Sequence, residues 1–501
     1  MNAVAIIDHL PVLPEVILLA GACALMLFDL GVKSERRHAT FWLAQAILLA
    51  CALATGFVQL GTGRGLYIFD GHFVADAFAN LVKFFCYVST AVALVYSRQY
   101  LLERGLLKGE FFTLTLFSLL GMMVMASANS FLSLYLGLEL MSLSLYAMVA
   151  LNRDSVASTE AAMKYFILGA LSSGLLLYGM SMIYGATGSL DFRTVSDGVV
   201  QLLAGAGEDG AVRPFLVFGV VFVVAGIAFK LGVVPFHMWI PDVYHGAPTP
   251  ITLFIGTASK IAAFAMAIRL LVNGLQGLAE DWQQMLAIMA VLSMAIGNIT
   301  AIAQSNLKRM LAYSAIAHMG FMLLGLLSGM VGGNTLSAED AYSTALFYTA
   351  VYALMTLASF GIIIYLARPG FESDALEDMR GLSRRNPWAA FLMLVTMFSL
   401  AGIPPTVGFY AKLAVFSAAV AAGHVWLVVV AVLLSLVGAF YYLRVVKLMY
   451  FDEPKDAVVV QGSAGMGALL SANALLLLLL GLLPQSLMAW CLAAVQSLRM
   501  L

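Results

Sequence analysis

Charged residues are scarce in this chain. They make up 11% of its 501 residues, whereas 62% are hydrophobic. Soluble domains carry roughly 25% charged residues, and no stretch here is polar enough to fold as one. This composition excludes a soluble enzyme and predicts an all-α, polytopic membrane protein. The formal net charge of −1 gives no indication of nucleic-acid binding.

Patterns that bind metals or redox cofactors are also missing. The cysteines lie far apart within apolar segments, and no two have metal-ligand or CxxC spacing. They are Cys23, Cys51, Cys86 and Cys491. The sequence has no Rossmann glycine fingerprint and no flavin motif. We therefore expect no metal site and no cofactor site in this chain.

Long apolar runs dominate the sequence instead. A membrane-spanning helix needs about 20 mostly apolar residues. This rule predicts fourteen spans, near residues 11–30, 40–60, 74–97, 110–128, 130–151, 161–184, 214–245, 251–273, 283–303, 308–330, 342–367, 388–420, 424–450 and 464–492. The seventh and twelfth spans are too long for one plain crossing, and both contain proline.

Basic residues are distributed unevenly between the two sides of the predicted spans. Sixteen of them, including Lys308 and Lys455, lie in loops that follow odd-numbered spans. The opposite side has five: Arg64, Arg193, Arg213, Arg269 and Arg499. Because cytoplasmic loops carry the excess of lysine and arginine, we expect both termini to face away from the cytoplasm.

The remaining basic residues lie inside the predicted spans, and all of them are lysine. They are Lys83, Lys164, Lys230, Lys260 and Lys412. A charge at the centre of a membrane costs roughly 2.5–3.5 kcal/mol on insertion scales. Lysine releases its proton when it is desolvated, whereas arginine stays charged. A lysine-only set therefore favours sites that bind and release protons, although Lys83 could instead reach the membrane interface by snorkelling.

One acid, Glu139, is embedded comparably. An isolated carboxylate there would be unfavourable, so we expect Glu139 to pair with a lysine from another helix, either statically or as a proton-transfer partner. His318 could relay protons or could simply be satisfied by a backbone carbonyl. His237 lies two turns after Lys230 and could extend a hydrated path.

The two long spans share a proline-interrupted pattern. The matching stretches are FKLGVVPF at 229–236 and SLAGIPPT at 399–406. The match aligns Gly232 with Gly402 and Pro235 with Pro405, which follows Pro404. Irregular backbone is tolerated in a membrane only where it is buried or faces water. Each break lies in a block of five spans, and this predicts two inverted repeats, a pattern typical of transporters.

Six stretches of the sequence resemble one known family. They are LYLGLELMSLSLYAMVA, EAAMKYFILGALSSGLLLYG, FKLGVVPFHMWIPDVYHGAPTP, TASKIAAF, NLKRMLAYSAIAHMGFM and AGIPPTVGFYAKL. They resemble the antiporter-like, proton-translocating membrane subunits of respiratory complex I, a family that includes Mrp-type Na⁺/H⁺ antiporter subunits. Lys412, where M-type subunits typically have glutamate, and the lack of an L-type lateral helix favour the N-type branch, the counterpart of mitochondrial subunit 2.

The resemblance implies roles for individual residues. Glu139 and Lys230 would form the pair on spans five and seven, which Lys164 on span six would tune. Lys260 would be the central lysine, His318 a link, and Lys412 the exit-side lysine. The resemblance assigns no role to Lys83.

The resemblance also implies an organisation and an environment. Spans 1–3 (residues 1–105) would pack on neighbouring subunits, followed by the two repeats (106–275 and 276–452) and a last span (453–501). The partners would be an M-like antiporter subunit and small J-, K- and A-like subunits of the bacterial inner membrane. NADH, FMN, Fe–S clusters and quinone would be bound by partner subunits, and quinone reduction there would drive proton transfer in this chain.

Two alternatives remain open from the sequence. The chain could belong to an Mrp-type antiporter or to a related membrane-bound hydrogenase complex, with the same lysine chemistry. It could also be a structural scaffold in which the embedded charges only hold helices together.

Overall fold

The computed structural model describes residues 10–61, 65–205, 212–331, 338–454 and 463–499. Arg64 and Lys455, which belong to the loop residues counted above, lie outside these ranges.

The described chain is almost entirely helical. A 3₁₀ turn, Leu10–Val12, precedes the first α-helix. The helices of the first half are α1 (Leu13–Leu30), α2 (His38–Gly61), α3 (Ala77–Glu103), α4 (Gly109–Ala126), α5 (Phe131–Val149), α6 (Val156–Thr187), α7 (Phe192–Gly205), α8 (Val212–Leu231), α9 (Trp239–Gly246), α10 (Thr249–Gly256) and α11 (Ala258–Ala267). A π-helical segment, Ile268–Gly274, and a 3₁₀ turn, Gln276–Leu278, follow α11.

The second half continues in the same way. Its helices are α12 (Ala279–Ile302), α13 (Leu307–Leu327), α14 (Ala338–Leu366), α15 (Leu382–Arg385), α16 (Pro387–Ala401), α17 (Val407–Ala421), α18 (Val425–Tyr450), α19 (Ala464–Leu482) and α20 (Gln485–Arg499). A 3₁₀ turn, Leu376–Met379, precedes α15.

The number of spans agrees with the sequence prediction. Among the described residues, 13 helical segments are long and apolar enough to cross a membrane. The shorter apolar helices α16 and α17 flank the second break and together form the remaining, twelfth span. The prediction of a polytopic helical membrane protein with about fourteen spans is confirmed.

Three local features were not predicted. Strands β1 (Leu66–Ile68) and β2 (Phe73–Ala75) form a short antiparallel hairpin, so the chain is not purely helical. Helix α7 is too short and polar to be read as a span, and it buries only one face, through Phe192, Val195 and Val199. The last predicted span is divided at Pro484 into α19 and α20.

Both predicted helix breaks are present. The first lies between α8 and α9 and the second between α16 and α17. Gly232 and Gly402 end the first half-helices with φ of +78° and +83°, a left-handed conformation that favours glycine. A cis peptide bond precedes Pro235 in the first break and joins Pro404 to Pro405 in the second. These shared features are consistent with a repeat, and the inverted arrangement itself stays a prediction.

The helix ends form two faces. One is defined by residues 31–37, 104–108, 150–155, 303–306 and 367–381, and we call it the basic face. Its loops contact each other, since Asn306 pairs with Ala375 and Arg104 binds Glu372 at 2.8 Å. The other carries the β1–β2 hairpin, and we call it the hairpin face. Both described chain ends lie there: Val12 packs on Phe73, and Ser497 accepts a hydrogen bond from the Phe78 N–H.

A buried arginine contradicts the lysine-only set of embedded bases. Arg269 was counted with the basic residues outside the membrane, but it lies inside the eighth span, in the π-helical segment. Its side chain is 1% exposed and binds both carboxylate oxygens of Asp76 at 2.8 and 2.9 Å. Arg269 also donates to the Ala126 carbonyl at 3.0 Å. This arginine fixes the end of α11 to α3 and α4.

Lys83 likewise has a partner that the sequence analysis missed. Its Nζ lies 2.6 Å from Oε1 of Glu15 on α1, and the lysine side chain is 0% exposed. Lys83 therefore does not snorkel, and Glu139 is not the only embedded acid. Glu15 lay in the first predicted span but was not counted as an embedded acid.

The Arg269–Asp76 pair gives a prediction about stability. Removing one partner of a buried ion pair leaves an uncompensated charge and costs about 3–5 kcal/mol. Arg269→Leu should therefore lower the thermal unfolding midpoint of the purified complex and the amount of this subunit in membranes. The double variant Arg269→Leu with Asp76→Asn, which leaves no unpaired charge, should recover part of the loss. Arg193→Leu, at an exposed arginine on the same face, is the control, and equal losses in Arg193→Leu and Arg269→Leu would contradict this account.

Candidate proton-transfer site

Lys230 lies in the last turn of α8, directly before the first helix break. It is buried, and its Nζ donates to the Ser142 hydroxyl at 2.8 Å and to the Tyr146 hydroxyl at 3.4 Å. Both acceptors are on α5, on the face that also carries Glu139, because these positions follow helical spacing. The ammonium therefore meets α5 one turn away from the carboxylate.

The direct ion pair between Glu139 and Lys230 is not formed, contrary to the sequence prediction. Glu139 is half-buried, and its Oε1 is buried without a hydrogen-bond partner. Spacing along the sequence could not distinguish Glu139 from Ser142 as the acceptor, because both face α8. The structure thus has an unpaired carboxylate one turn from a lysine that is bonded to neutral hydroxyls.

Lys164 is also placed differently from the sequence prediction. It lies in the third turn of α6, with a side chain that is 43% exposed, so it is not deeply embedded. Its Nζ binds Glu160 at 2.8 Å and Asp242 at 2.7 Å. Within the described residues, Lys164 contacts neither Glu139 nor Lys230 directly.

Asp242 is a charged residue of the site that the sequence analysis missed. It lies on α9, the second half of the broken seventh span, and it binds Arg309 at 2.9 Å as well as Lys164. Its carboxylate therefore joins α6, α9 and α13 near the basic face. The sequence did contain a signal for this residue, because Asp242 is an acidic residue inside the predicted span 214–245. Lys230 was the only charged residue of that span that was considered.

Lys260 binds the carbonyls that the first break leaves free. Its Nζ donates to the carbonyl oxygens of Lys230 at 3.0 Å and Leu231 at 2.9 Å, at the C-terminal end of α8. The last carbonyls of a helix have no partner within the helix, and the helix dipole makes this end attractive to a cation. The ring of Trp239 lies 4.9 Å from the ammonium. Lys260 is 1% exposed.

Lys412 repeats this arrangement at the second break. Its Nζ donates to the carbonyl oxygens of Leu400 at 3.3 Å and Ala401 at 2.8 Å, at the C-terminal end of α16. The Ser435 hydroxyl accepts a third hydrogen bond at 2.9 Å, and an aromatic ring, that of Phe321, again lies 4.9 Å away. Lys412 is therefore the counterpart of Lys260 in its contacts.

The histidines of the predicted path differ in their surroundings. His318 on α13 is buried, with one ring nitrogen 2.7 Å from the Tyr348 hydroxyl and the other 3.1 Å from the Tyr442 hydroxyl. Tyr442 also contacts the Ser314 hydroxyl. His237 lies in the first break, half-buried, and its Nδ1 has no hydrogen-bond partner. Both could exchange protons with a neighbouring hydroxyl or water.

The buried lysines and the arginine considered so far thus fall into two groups. Lys83 and Arg269 bind carboxylates, whereas Lys230, Lys260 and Lys412 bind only hydroxyls and backbone carbonyls. An ammonium with no carboxylate in contact gains less Coulomb energy to offset its desolvation, so its neutral form is more accessible. Among the described residues, no cluster of three His, Cys, Asp or Glu side chains has an arrangement that would hold a metal ion.

The sequence is similar to known membrane proteins over most of its length. The family model for the transmembrane region of NADH:quinone oxidoreductase and Mrp antiporter subunits matches residues 128–438. NADH-quinone oxidoreductase subunit N of Thiobacillus denitrificans is 57% identical over 491 residues, which cover 98% of both chains. The subunit N of Herminiimonas arsenicoxydans is 56% identical over 494 residues, again covering 98% of both.

Solved structures of respiratory and antiporter complexes share the fold. A chain of respiratory complex I from Thermus thermophilus, solved with bound aureothin, is 32% identical, covers 95% of this chain and 98% of its own length, and has a TM-score of 0.77. A chain of the Mrp complex from Dietzia is 22% identical, covers 98% of this chain and 97% of its own, and has a TM-score of 0.80, which shows the fold alone. Since the family match spans most of the chain and the relatives match nearly all of it, this chain belongs to the antiporter-like subunit N family of NADH-quinone oxidoreductases.

Proposed function

We propose that this subunit moves protons across the membrane by loading and unloading Lys230, Lys260 and Lys412. The observation that supports this most directly is the contrast between the two groups of buried bases. Lys83 lies 2.6 Å from a carboxylate oxygen of Glu15, whereas the three path lysines have only neutral acceptors in contact. A group that carries protons must be stable in both its protonated and its neutral form, and the second environment permits both.

In this proposal, Glu139 switches Lys230. The ammonium now binds Ser142 and Tyr146, one helical turn from an unpaired carboxylate. A charge that changes in a neighbouring subunit would move Lys230 between these hydroxyls and Glu139. Contact with the carboxylate favours the proton-bound lysine, and contact with the hydroxyls favours proton release.

The released proton would pass to Lys260, then through His318 and its tyrosines to Lys412. The backbone supports the first step, because Lys260 is bonded to the carbonyl of Lys230 itself. Moving one charge against a membrane potential costs about 2.3 kcal/mol per 100 mV, which is comparable to a two-unit change in a lysine pKa, about 2.7 kcal/mol. Switching one such contact is therefore sufficient in energy. His237, whose Nδ1 has no hydrogen-bond partner in the first break, would connect this path to water.

Lys164 would act on the path indirectly. Its contacts are with Glu160 and Asp242, and Asp242 is carried by α9, the half-helix that follows the first break. Changing the charge of Lys164 would therefore act on the position of α9 rather than directly on the Glu139–Lys230 contact. We propose that any tuning by Lys164 goes through Asp242.

The complex around this chain would supply the redox chemistry. We propose that the chain is a non-redox subunit and that NADH, FMN, Fe–S clusters and quinone are bound by its partners, including an M-like antiporter subunit and small J-, K- and A-like subunits. We propose the bacterial inner membrane as the location of the complex. In that membrane, the excess of basic residues favours an orientation with the basic face in the cytoplasm and both termini on the periplasmic side. Co-purification with flavin and Fe–S subunits would distinguish this from an Mrp-type antiporter.

Substitutions of Lys260 test the proton path. Lys260→Met and Lys260→Arg should both leave the complex assembled and lower proton translocation at least about tenfold, the scale of losing one proton-transfer group. Arginine keeps the charge and the donors but does not release its proton. The measurement is proton movement into vesicles during NADH oxidation, relative to the amount of assembled complex.

A matched control removes the other kind of buried lysine. Lys83→Met combined with Glu15→Gln leaves no unpaired charge and should leave proton translocation close to that of the unmodified complex.

Normal translocation in Lys260→Ala combined with Lys412→Ala would instead support the scaffold alternative, in which the lysines only hold helices together.

Substitutions of Glu139 and Lys230 test the switch. Glu139→Gln and Lys230→Met should each reduce proton translocation and the coupled reduction of quinone by at least about tenfold, again with assembly retained. Glu453→Gln, at a side chain that is 85% exposed on the basic face, should have no effect. If both Glu139→Gln and Lys230→Met translocate protons normally, the proposed switch is wrong.

A further inference from the structure

Lys308 is a buried lysine to which the path described so far gives no role. The sequence analysis placed it in a loop, but it lies in the first turn of α13 and is 4% exposed. Its Nζ donates to the carbonyl oxygens of His245 at 3.0 Å and Ala247 at 2.8 Å. These carbonyls form the C-terminal end of α9, the second half of the broken seventh span.

The surroundings of Lys308 repeat those of Lys260 and Lys412. In each case the ammonium donates to two carbonyls at the C-terminal end of a half-helix from a broken span. The carbonyl pairs belong to α8 for Lys260, to α16 for Lys412 and to α9 for Lys308. Lys308 forms no ion pair among the described residues, so it belongs to the group of buried lysines with neutral acceptors only.

The position of Lys308 differs from that of the other two, because it lies at the basic face. The neighbouring loop is fixed to the start of α13, where the Leu307 N–H donates to the Asp374 carbonyl at 2.5 Å and Leu376 N–H donates to the Ser305 carbonyl at 2.9 Å. This loop carries the half-buried carboxylates of Glu372 and Asp374 next to Lys308. Lys308 therefore lies nearer to water at this face than Lys260 does.

Helix α9 connects Lys308 with Lys260. Its eight residues span about 12 Å at 1.5 Å per residue. Lys308 binds one end, and Trp239 at the other end lies against the Lys260 ammonium. Between them, the Tyr244 hydroxyl is buried without a hydrogen-bond partner. It lies beside Gly256, one turn before Lys260, since a Cβ built on Gly256 would be 3.3 Å from this oxygen.

We propose that Lys308 is a further proton-carrying residue, which takes protons from water at the basic face and passes them along α9 to Lys260. The neutral Lys308 amine would accept a proton from water. The Lys308 ammonium would then give a proton through intervening water to the Tyr244 hydroxyl oxygen. The Tyr244 hydroxyl would at the same time give its own proton to Lys260. Lys308 and Tyr244 end with the protons they started with, and Lys260 has gained the proton that left the water at the basic face. This inference rests on the proposed function, because it supplies the path through Lys260.

The test compares Lys308→Arg with Lys308→Met in the whole complex. A lysine that only caps α9 would be replaced well by arginine, which keeps both the charge and the donors, so translocation would be normal in Lys308→Arg. A proton-carrying lysine is replaced by neither, because arginine does not release its proton. We expect both variants to lose at least about tenfold in proton translocation per assembled complex. Lys447→Arg and Lys447→Met are the controls, at a lysine that is 69% exposed near the basic face.

A second variant decides the case in which the Lys308 variants fail to assemble. Tyr244→Phe removes only a hydroxyl that has no protein partner, so folding should be retained, and we expect translocation to fall severalfold. Normal translocation in Tyr244→Phe would overturn the route along α9, and normal translocation in Lys308→Arg would overturn the proton-carrying role of Lys308. If Lys260→Met abolishes translocation in either case, the proposed function stands and only this inference is lost. If Lys260→Met also translocates normally, the proposed function fails with it.

Discussion

The structure depends on hydrogen bonds between buried lysine ammonium groups and the free carbonyls of interrupted helices. A break in a membrane helix leaves carbonyls that neither water nor the helix can satisfy, and a buried ammonium has lost its own hydration. The ammonium donates hydrogen bonds to the free carbonyls, so both groups are satisfied without an anion. Lys260 at the end of α8 and Lys412 at the end of α16 both do this. The broken helices and the lysines therefore form one arrangement, in which the carbonyls of the break replace the lost hydration of the ammonium.

This device requires glycine next to the lysine. Gly232 and Gly402 take the left-handed conformation that ends each half-helix, and a Cβ on either would lie 3.3 Å from the ammonium of Lys260 or Lys412. The protein also uses the opposite solution for charges that must not move. Asp76 holds Arg269 with two hydrogen bonds, and that pair fixes α3, α4 and α11 together. In the proposed function, permanent charges thus stabilise the fold, while exchangeable charges lie at the breaks.

Apolar run length and proline position were enough to predict the spans and both breaks, because each depends on local sequence. The partners of the charged groups depend on how helices pack, and there the prediction was weaker. Lys230 meets Ser142 rather than Glu139, a difference of one helical turn on α5. Arg269 and Lys308 were counted with the basic residues outside the membrane because each lies near an end of its predicted span, but a π-helical segment holds the first inside the eighth span and α9 covers the second. The contact of Asp242 with Lys164 joins α9 to α6. These two residues are far apart in the sequence, so the sequence alone did not pair them.

The central claim is that lysines with neutral acceptors exchange protons while those with carboxylates do not. It is tested most directly by the ¹⁵N resonances of the lysine Nζ atoms in the assembled complex, recorded at rest and during turnover, because ammonium and amine differ in chemical shift. The account predicts that Lys260 and Lys412 change between the two forms, while Lys83, bound to Glu15 at 2.6 Å, remains an ammonium throughout. An unchanged ammonium at both Lys260 and Lys412 during turnover would contradict it.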